Sequence, residues 1–73
     1  MKQLIEIMSD VRPDVDFEKE TRLIDDEILD SFDIISIVSE VNDQFGVDII
    51  AADLLPENFN SAAALYELIK SMQ

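Results

Sequence analysis

Ser31 is the residue best placed to take part in chemistry, because of its neighbours and because of what the chain lacks. It stands in "EILDSFDIISIV", residues 27 to 38, with Asp30 before it and Phe32 after it. The 73 residues include no histidine and no cysteine. A serine nucleophile needs an adjacent base, so a Ser-His hydrolase is excluded. Zinc lacks its usual ligands for the same reason. A hydroxyl that cannot act alone is better suited to being modified by another enzyme.

The apolar run that follows Ser31 has helical spacing, and either Asp30 or Ser31 can cap that helix. If Asp30 caps, its carboxylate accepts from the Asp33 backbone N–H, and Ser31 becomes the first helical residue with its hydroxyl free to face solvent. A negative group on that oxygen would meet unpaired backbone N–H groups and the positive end of the helix dipole, worth about 0.3 to 1 kcal/mol at an exposed site. The local physics therefore suits a phosphorylated or phosphodiester serine. The plain alternative is an ordinary Asp-Ser cap.

Whatever modifies Ser31 must meet an acidic surface. Seventeen acids against five bases give a net charge of −12, which argues against nucleic acid as a partner and favours basic protein surfaces. Asp25, Asp26, Glu27, Asp30 and Asp33 crowd one short stretch, and Arg22 is the nearest base in the sequence. Hydrophobic content of 48% is enough for a packed core. No apolar run reaches membrane-spanning length, and the acids in MKQLIEIMSD are unlike a signal peptide, so a cytoplasmic monomer with no membrane insertion is expected.

Four short helices must position the serine, in one domain spanning residues 1–73. The first covers residues 2 to 11, with Leu4, Ile7, Met8 and Val11 on one face, and Pro13 forces the chain out of the helix at Arg12. Residues 13 to 29 form a long connection in which Phe17, Leu23, Ile24, Ile28 and Leu29 are spaced like anchors. The second helix starts at Asp30 or Ser31 and stops at Gly46. One helical turn around residues 51 to 54 is interrupted before Pro56, and a last helix opens at the Ser61 cap and runs toward Met72. Nothing alternates with period two. The expected fold is all-α, a small four-helix bundle with a long first loop and a short third helix.

At 100° per residue, Ile34, Ile37, Val38, Val41 and Phe45 share one stripe of the second helix, and Phe45 is expected in the core. Asp33, Ser36, Ser39, Glu40 and Asp43 lie opposite. Phe32 falls in the middle of that polar face and Ile35 beside the stripe. Both are either packed under the long connection or part of an apolar contact patch for a partner.

"ILDSFDII", "EVNDQFGVDI" and "NFNSAAALYELI" together resemble the acyl carrier protein family, the phosphopantetheine-carrying four-helix domains, over essentially the whole chain. The resemblance implies a carrier that is not itself an enzyme. It implies that Ser31 accepts a 4′-phosphopantetheine arm from coenzyme A through a separate phosphopantetheinyl transferase, and that Asp30 is the family's acidic neighbour of that serine. The implied partners are that transferase and acyl- or aminoacyl-activating and transferring enzymes with basic surfaces. Asp30, Phe32, Asp33, Ile35 and Asp43 are the partner-binding candidates. Ile28 stands where many members have glycine and Phe32 where most have leucine, while Ser36, Ser39 and Asn42 replace common acids or methionine. "LDSF" is more similar to free-standing carriers, including the D-alanine carriers of cell-wall modification, than to fatty-acid carriers.

Two other readings compete. Residues 14 to 25 loosely match a calcium loop through Asp14, Asp16 and Glu18. Lys19 stands where that loop requires glycine, and Asp25 where it requires a bidentate glutamate, so no metal site is expected. The second is an acidic helical interaction module whose Ser31 is never modified.

Overall fold

Three apolar helix faces and one pinned connection build this structure, a computed structural model that describes residues 1–73. Helix α1 spans Lys2–Val11 and buries Leu4, Ile7 and Met8. Arg12 leaves helical geometry with φ −134° and ψ 83°, which follows from the Pro13 ring crowding the residue before it. Helix α2 spans Ser31–Phe45 and ends where Gly46 takes a left-handed backbone, φ 65°. A Cβ at Gly46 would meet nothing within 4 Å, so glycine is favoured there by backbone hand and not by space. Helix α4 spans Ala62–Met72, and the Ser61 hydroxyl accepts the Ala64 N–H at 3.0 Å as its cap. No strand forms, and no helix is long and apolar enough to cross a membrane.

The third helix differs from expectation. The turn around residues 51 to 54 is a 3₁₀ turn, Ala51–Asp53, and a separate helix α3 begins at Pro56 and runs to Phe59. Proline starts this helix instead of blocking it. At the first helical position its missing N–H costs nothing and its fixed φ already suits the helix.

Helix α1 packs against α2 and α4, and α3 packs against α4. The core joins Leu4, Ile7 and Met8 of α1 to Ile37 and Val41 of α2, Phe59 of α3, and Ala62, Leu65 and Ile69 of α4. Each such large side chain contributes about 1.5 to 3 kcal/mol of hydrophobic burial. Phe45, expected in this core, is only half-buried. It lies in the last turn of α2, where the chain departs at Gly46, and Phe17 and Phe59 are the phenylalanines that are fully covered.

The long connection is held at its apolar anchors. Phe17, Leu23 and Leu29 are buried, and Ile24 and Ile28 are partly so. Polar pinning comes from Asn60. Its side-chain oxygen accepts the N–H groups of Ile24 and Asp25 at 3.0 and 3.1 Å, and its amide donates to the Asp25 carboxylate at 3.1 Å. Its backbone carbonyl accepts from Leu23 at 2.9 Å. One asparagine thus fixes the middle of the connection to the α3–α4 junction. Residues 14 to 25 fold as turns with no group of three or more acids arranged to hold a metal.

Candidate functional site

The connection delivers the chain to α2 through Asp30, whose extended backbone (φ −100°, ψ −179°) precedes the first helical residue. The Asp30 carboxylate accepts the Asp33 N–H at 2.9 Å, and the Asp33 carboxylate accepts the Asp30 N–H at 3.2 Å. This reciprocal pair is a capping box with aspartate in both roles. Of the two possible caps, Asp30 takes the position. Ser31 is therefore the first residue of α2, exposed, with its hydroxyl outside the cap. The backbone N–H groups of Ser31 and Phe32 belong to the unpaired donors of the first turn.

The stretch is less bare of positive charge than its sequence implies. Arg12, at the end of α1, donates from Nη1 to the Asp33 carboxylate at 2.7 Å and to the Ile28 carbonyl at 3.0 Å. Its Nε and Nη2 grip the two oxygens of Asp14 at 3.1 Å each. These bonds, first from Asp14 and then from Asp33, raise the guanidinium further above its ordinary range. Arg12 in turn holds the Asp14 carboxyl below the usual carboxylate range. Arg22 pairs with Asp26 at 3.0 Å. The nearest base in the sequence thus serves the connection, and a base 21 residues away serves α2. No pattern around Ser31 signals that partner.

Asp30, Phe32, Asp33 and Ile35 lie within the first turns of α2 around Ser31. Phe32 is 80% exposed and Ile35 60% exposed, so neither packs under the connection. Asp33 differs from the other acids here: its side chain is only 14% exposed and is engaged by Arg12 and Asp30. Asp43 is exposed but twelve residues further along α2, about 18 Å from Ser31 by helical rise. Ile35 also edges a groove of about 560 Å³ between α1 and α2, with Ile7 and Val11 on one side and Ser36, Ser39 and Glu40 on the other. Three exposed apolar residues, Ile50, Leu54 and Leu55, were not singled out by spacing because they lie outside the long helices. Apart from Met1 and Met72 near the chain ends, every exposed large hydrophobic lies between residues 32 and 55.

The start of α2 fits a phosphodiester group. It offers an exposed hydroxyl that no cap consumes, beside unpaired N–H groups and the positive end of a fifteen-residue helix. The comparisons agree with that chemistry. The family model for the phosphopantetheine attachment site matches residues 2–69. No curated protein and no solved structure matches the chain. Domains of this family are not catalytic themselves and carry substrates for enzymes on a covalent 4′-phosphopantetheine. With nearly its whole length matched, the chain belongs to the phosphopantetheine attachment site family and is a carrier protein bearing that group.

Proposed function

We propose that Ser31 is the residue to which the arm is attached, and that the chain works as a free-standing acyl or aminoacyl carrier. The observation that carries the reading is the division of labour at the start of α2: Asp30 closes the cap, and Ser31 is left exposed at the first helical position. The other serines are less suitable. Ser61 is a cap, Ser71 donates to the Leu68 carbonyl at 2.6 Å, and Ser9 is half-buried on α1. Ser36 and Ser39 are exposed but sit inside α2, away from its unpaired N–H groups.

Attachment forms a bond between the Ser31 oxygen and the phosphorus of coenzyme A that carries the pantetheine. The pyrophosphate P–O bond breaks and adenosine 3′,5′-bisphosphate leaves. The chain has no histidine to take the hydroxyl proton, which passes to a carboxylate, to a base of the transferase or to water. When bound, the arm supplies the thiol that holds cargo as a thioester.

Phe32 and Ile35 form the apolar contact for the transferase and for acyl- or aminoacyl-activating enzymes. Asp30 and Asp43 offer charge to their basic surfaces, and Asp33 acts by holding the helix start. The concentration of exposed apolar side chains between residues 32 and 55 supports this assignment, because an apolar anchor ringed by polar groups is the usual form of a binding hot spot. The likeness of "LDSF" to free-standing and D-alanine carriers favours an aminoacyl cargo and a dedicated set of enzymes. We place this carrier in the cytoplasm as a monomeric single-domain bundle of its four helices.

The test is to incubate the protein with coenzyme A and a phosphopantetheinyl transferase, digest it, and locate the arm by tandem mass spectrometry. The arm is expected on the peptide containing Ser31 and on no other. An arm found elsewhere, or none, overturns the assignment.

A further inference from the structure

We propose that Arg12 is a positioning residue for arm attachment, fixing the start of α2 so that the Ser31 hydroxyl is presented in one orientation. The inference rests on Ser31 being the attachment residue. Only Arg12, of the five bases, is ion-paired to the first turn of α2; Arg22 and Lys70 pair with Asp26 and Glu67.

Its guanidinium fork joins three points that no other hydrogen bond or ion pair links directly. It holds Asp14 at the start of the connection, the Ile28 carbonyl two residues before the cap, and Asp33 inside α2. The contacts at Ile28 and Asp33 bracket the Asp30-Ser31 step. The Asp33 carboxylate oxygen that takes Nη1 at 2.7 Å is the same atom that accepts the Asp30 N–H at 3.2 Å. Arg12 therefore aims one half of the capping box. Without it, Asp33 is free to turn toward water, the Asp30 N–H loses its partner, and Asp30 and Ser31 gain a range of backbone and side-chain orientations.

A hydroxyl that must attack phosphorus in line is sensitive to such freedom, since a displacement of about 1 Å can cost on the order of a hundredfold in rate. Lysine cannot replace this arginine fully. It carries the charge but no rigid fork, and meets fewer of the three acceptors at a time.

In this reaction the carrier is the substrate, and that separates positioning from a merely structural role. If Arg12 only stabilised the fold, its loss would shrink the folded fraction and raise the apparent KM of the transferase for the carrier, leaving kcat unchanged. If it orients the hydroxyl, kcat falls while KM changes little, because Phe32 and Ile35 are untouched.

The experiment is steady-state transfer from coenzyme A to wild type, Arg12→Gln, Arg12→Lys, Asp33→Asn and the Arg12→Gln/Asp33→Asn double variant, well below their melting temperatures. We expect kcat to fall about tenfold or more in Arg12→Gln, with KM within about twofold of wild type, and an intermediate kcat in Arg12→Lys. The double variant should be no slower than the slower single one, because both substitutions remove the same link. An unchanged kcat in Arg12→Gln, a rise confined to KM, or additive losses in the double variant overturns the proposal. If Arg12→Gln does not fold, Arg12→Lys decides alone, and a wild-type kcat there is the contrary result. Wild type that accepts no arm, or accepts it elsewhere, fails the Ser31 assignment instead.

Discussion

Asp30 and Asp33 cap one another: each carboxylate accepts the other residue's backbone N–H, at 2.9 and 3.2 Å. Two acids three residues apart would ordinarily repel, but each meets an N–H at the positive end of α2, and Arg12 neutralises one of them. Asp30→Ala should therefore lower stability by about 1 kcal/mol, and Asp30→Asn, which keeps the accepting oxygen, should recover most of it. Urea unfolding of both variants is the check. Equal losses would show that negative charge, and not the cap, is the stabilising feature.

The two most differently placed phenylalanines should respond in opposite ways to truncation. Phe59 is 2% exposed in the core, and Phe59→Ala should cost about 3 to 5 kcal/mol. Phe32 is 80% exposed, and Phe32→Ala should cost about 1 kcal/mol or less while slowing arm attachment or cargo loading. Denaturant unfolding and loading kinetics, measured on the same samples, test both halves. Normal loading by Phe32→Ala would remove it from the contact surface.

Glu27 is the only non-glycine residue with positive φ, 57°. A left-handed backbone costs a side-chain-bearing residue about 1 kcal/mol or more relative to glycine. Glu27→Gly should be stabilising by up to about 1 kcal/mol, offset in part by glycine's greater freedom when unfolded. It also removes one acid from a crowded stretch. A melting temperature that falls would mean that the Glu27 side chain makes a compensating contact.

Much of this architecture was legible from local signals. Pro13, Gly46 and Ser61 mark helix ends through their own backbone or hydroxyl chemistry, and those ends lie where expected. The spacing of Phe17, Leu23 and Leu29 marked buried anchors, and helical periodicity placed Phe32 and Ile35 off the core stripe. What escaped depends on distant partners or on two-valued signals. Asn60 reaches Ile24 across 36 residues and Arg12 reaches Asp33 across 21, and neither pair leaves a periodic trace. Proline both ends and begins helices: the turn stops before Pro56 as expected, but the short helix that Pro56 begins was missed. The left-handed backbone at Glu27 also escaped, because glutamate carries no signal for positive φ.

Self-repulsion should be measurable even with Arg12 and Arg22 in their ion pairs. Asp25, Glu27 and Asp30 are exposed without a salt bridge, on a chain of net charge −12. Raising salt from low to moderate ionic strength should raise the melting temperature by a few degrees, on the order of 1 kcal/mol for a domain of this size. A flat profile would show that the existing ion pairs already balance these acids.

The central claim is that the Ser31 hydroxyl serves the arm and not the fold. Its most direct test is Ser31→Ala beside wild type, with intact mass after exposure to coenzyme A and a phosphopantetheinyl transferase, and thermal melting of the same samples. Because Asp30 keeps the cap, the variant should melt close to wild type. It should gain no mass, while wild type gains one arm. A variant that still gains the arm, or one that loses it only because it no longer folds, contradicts the account.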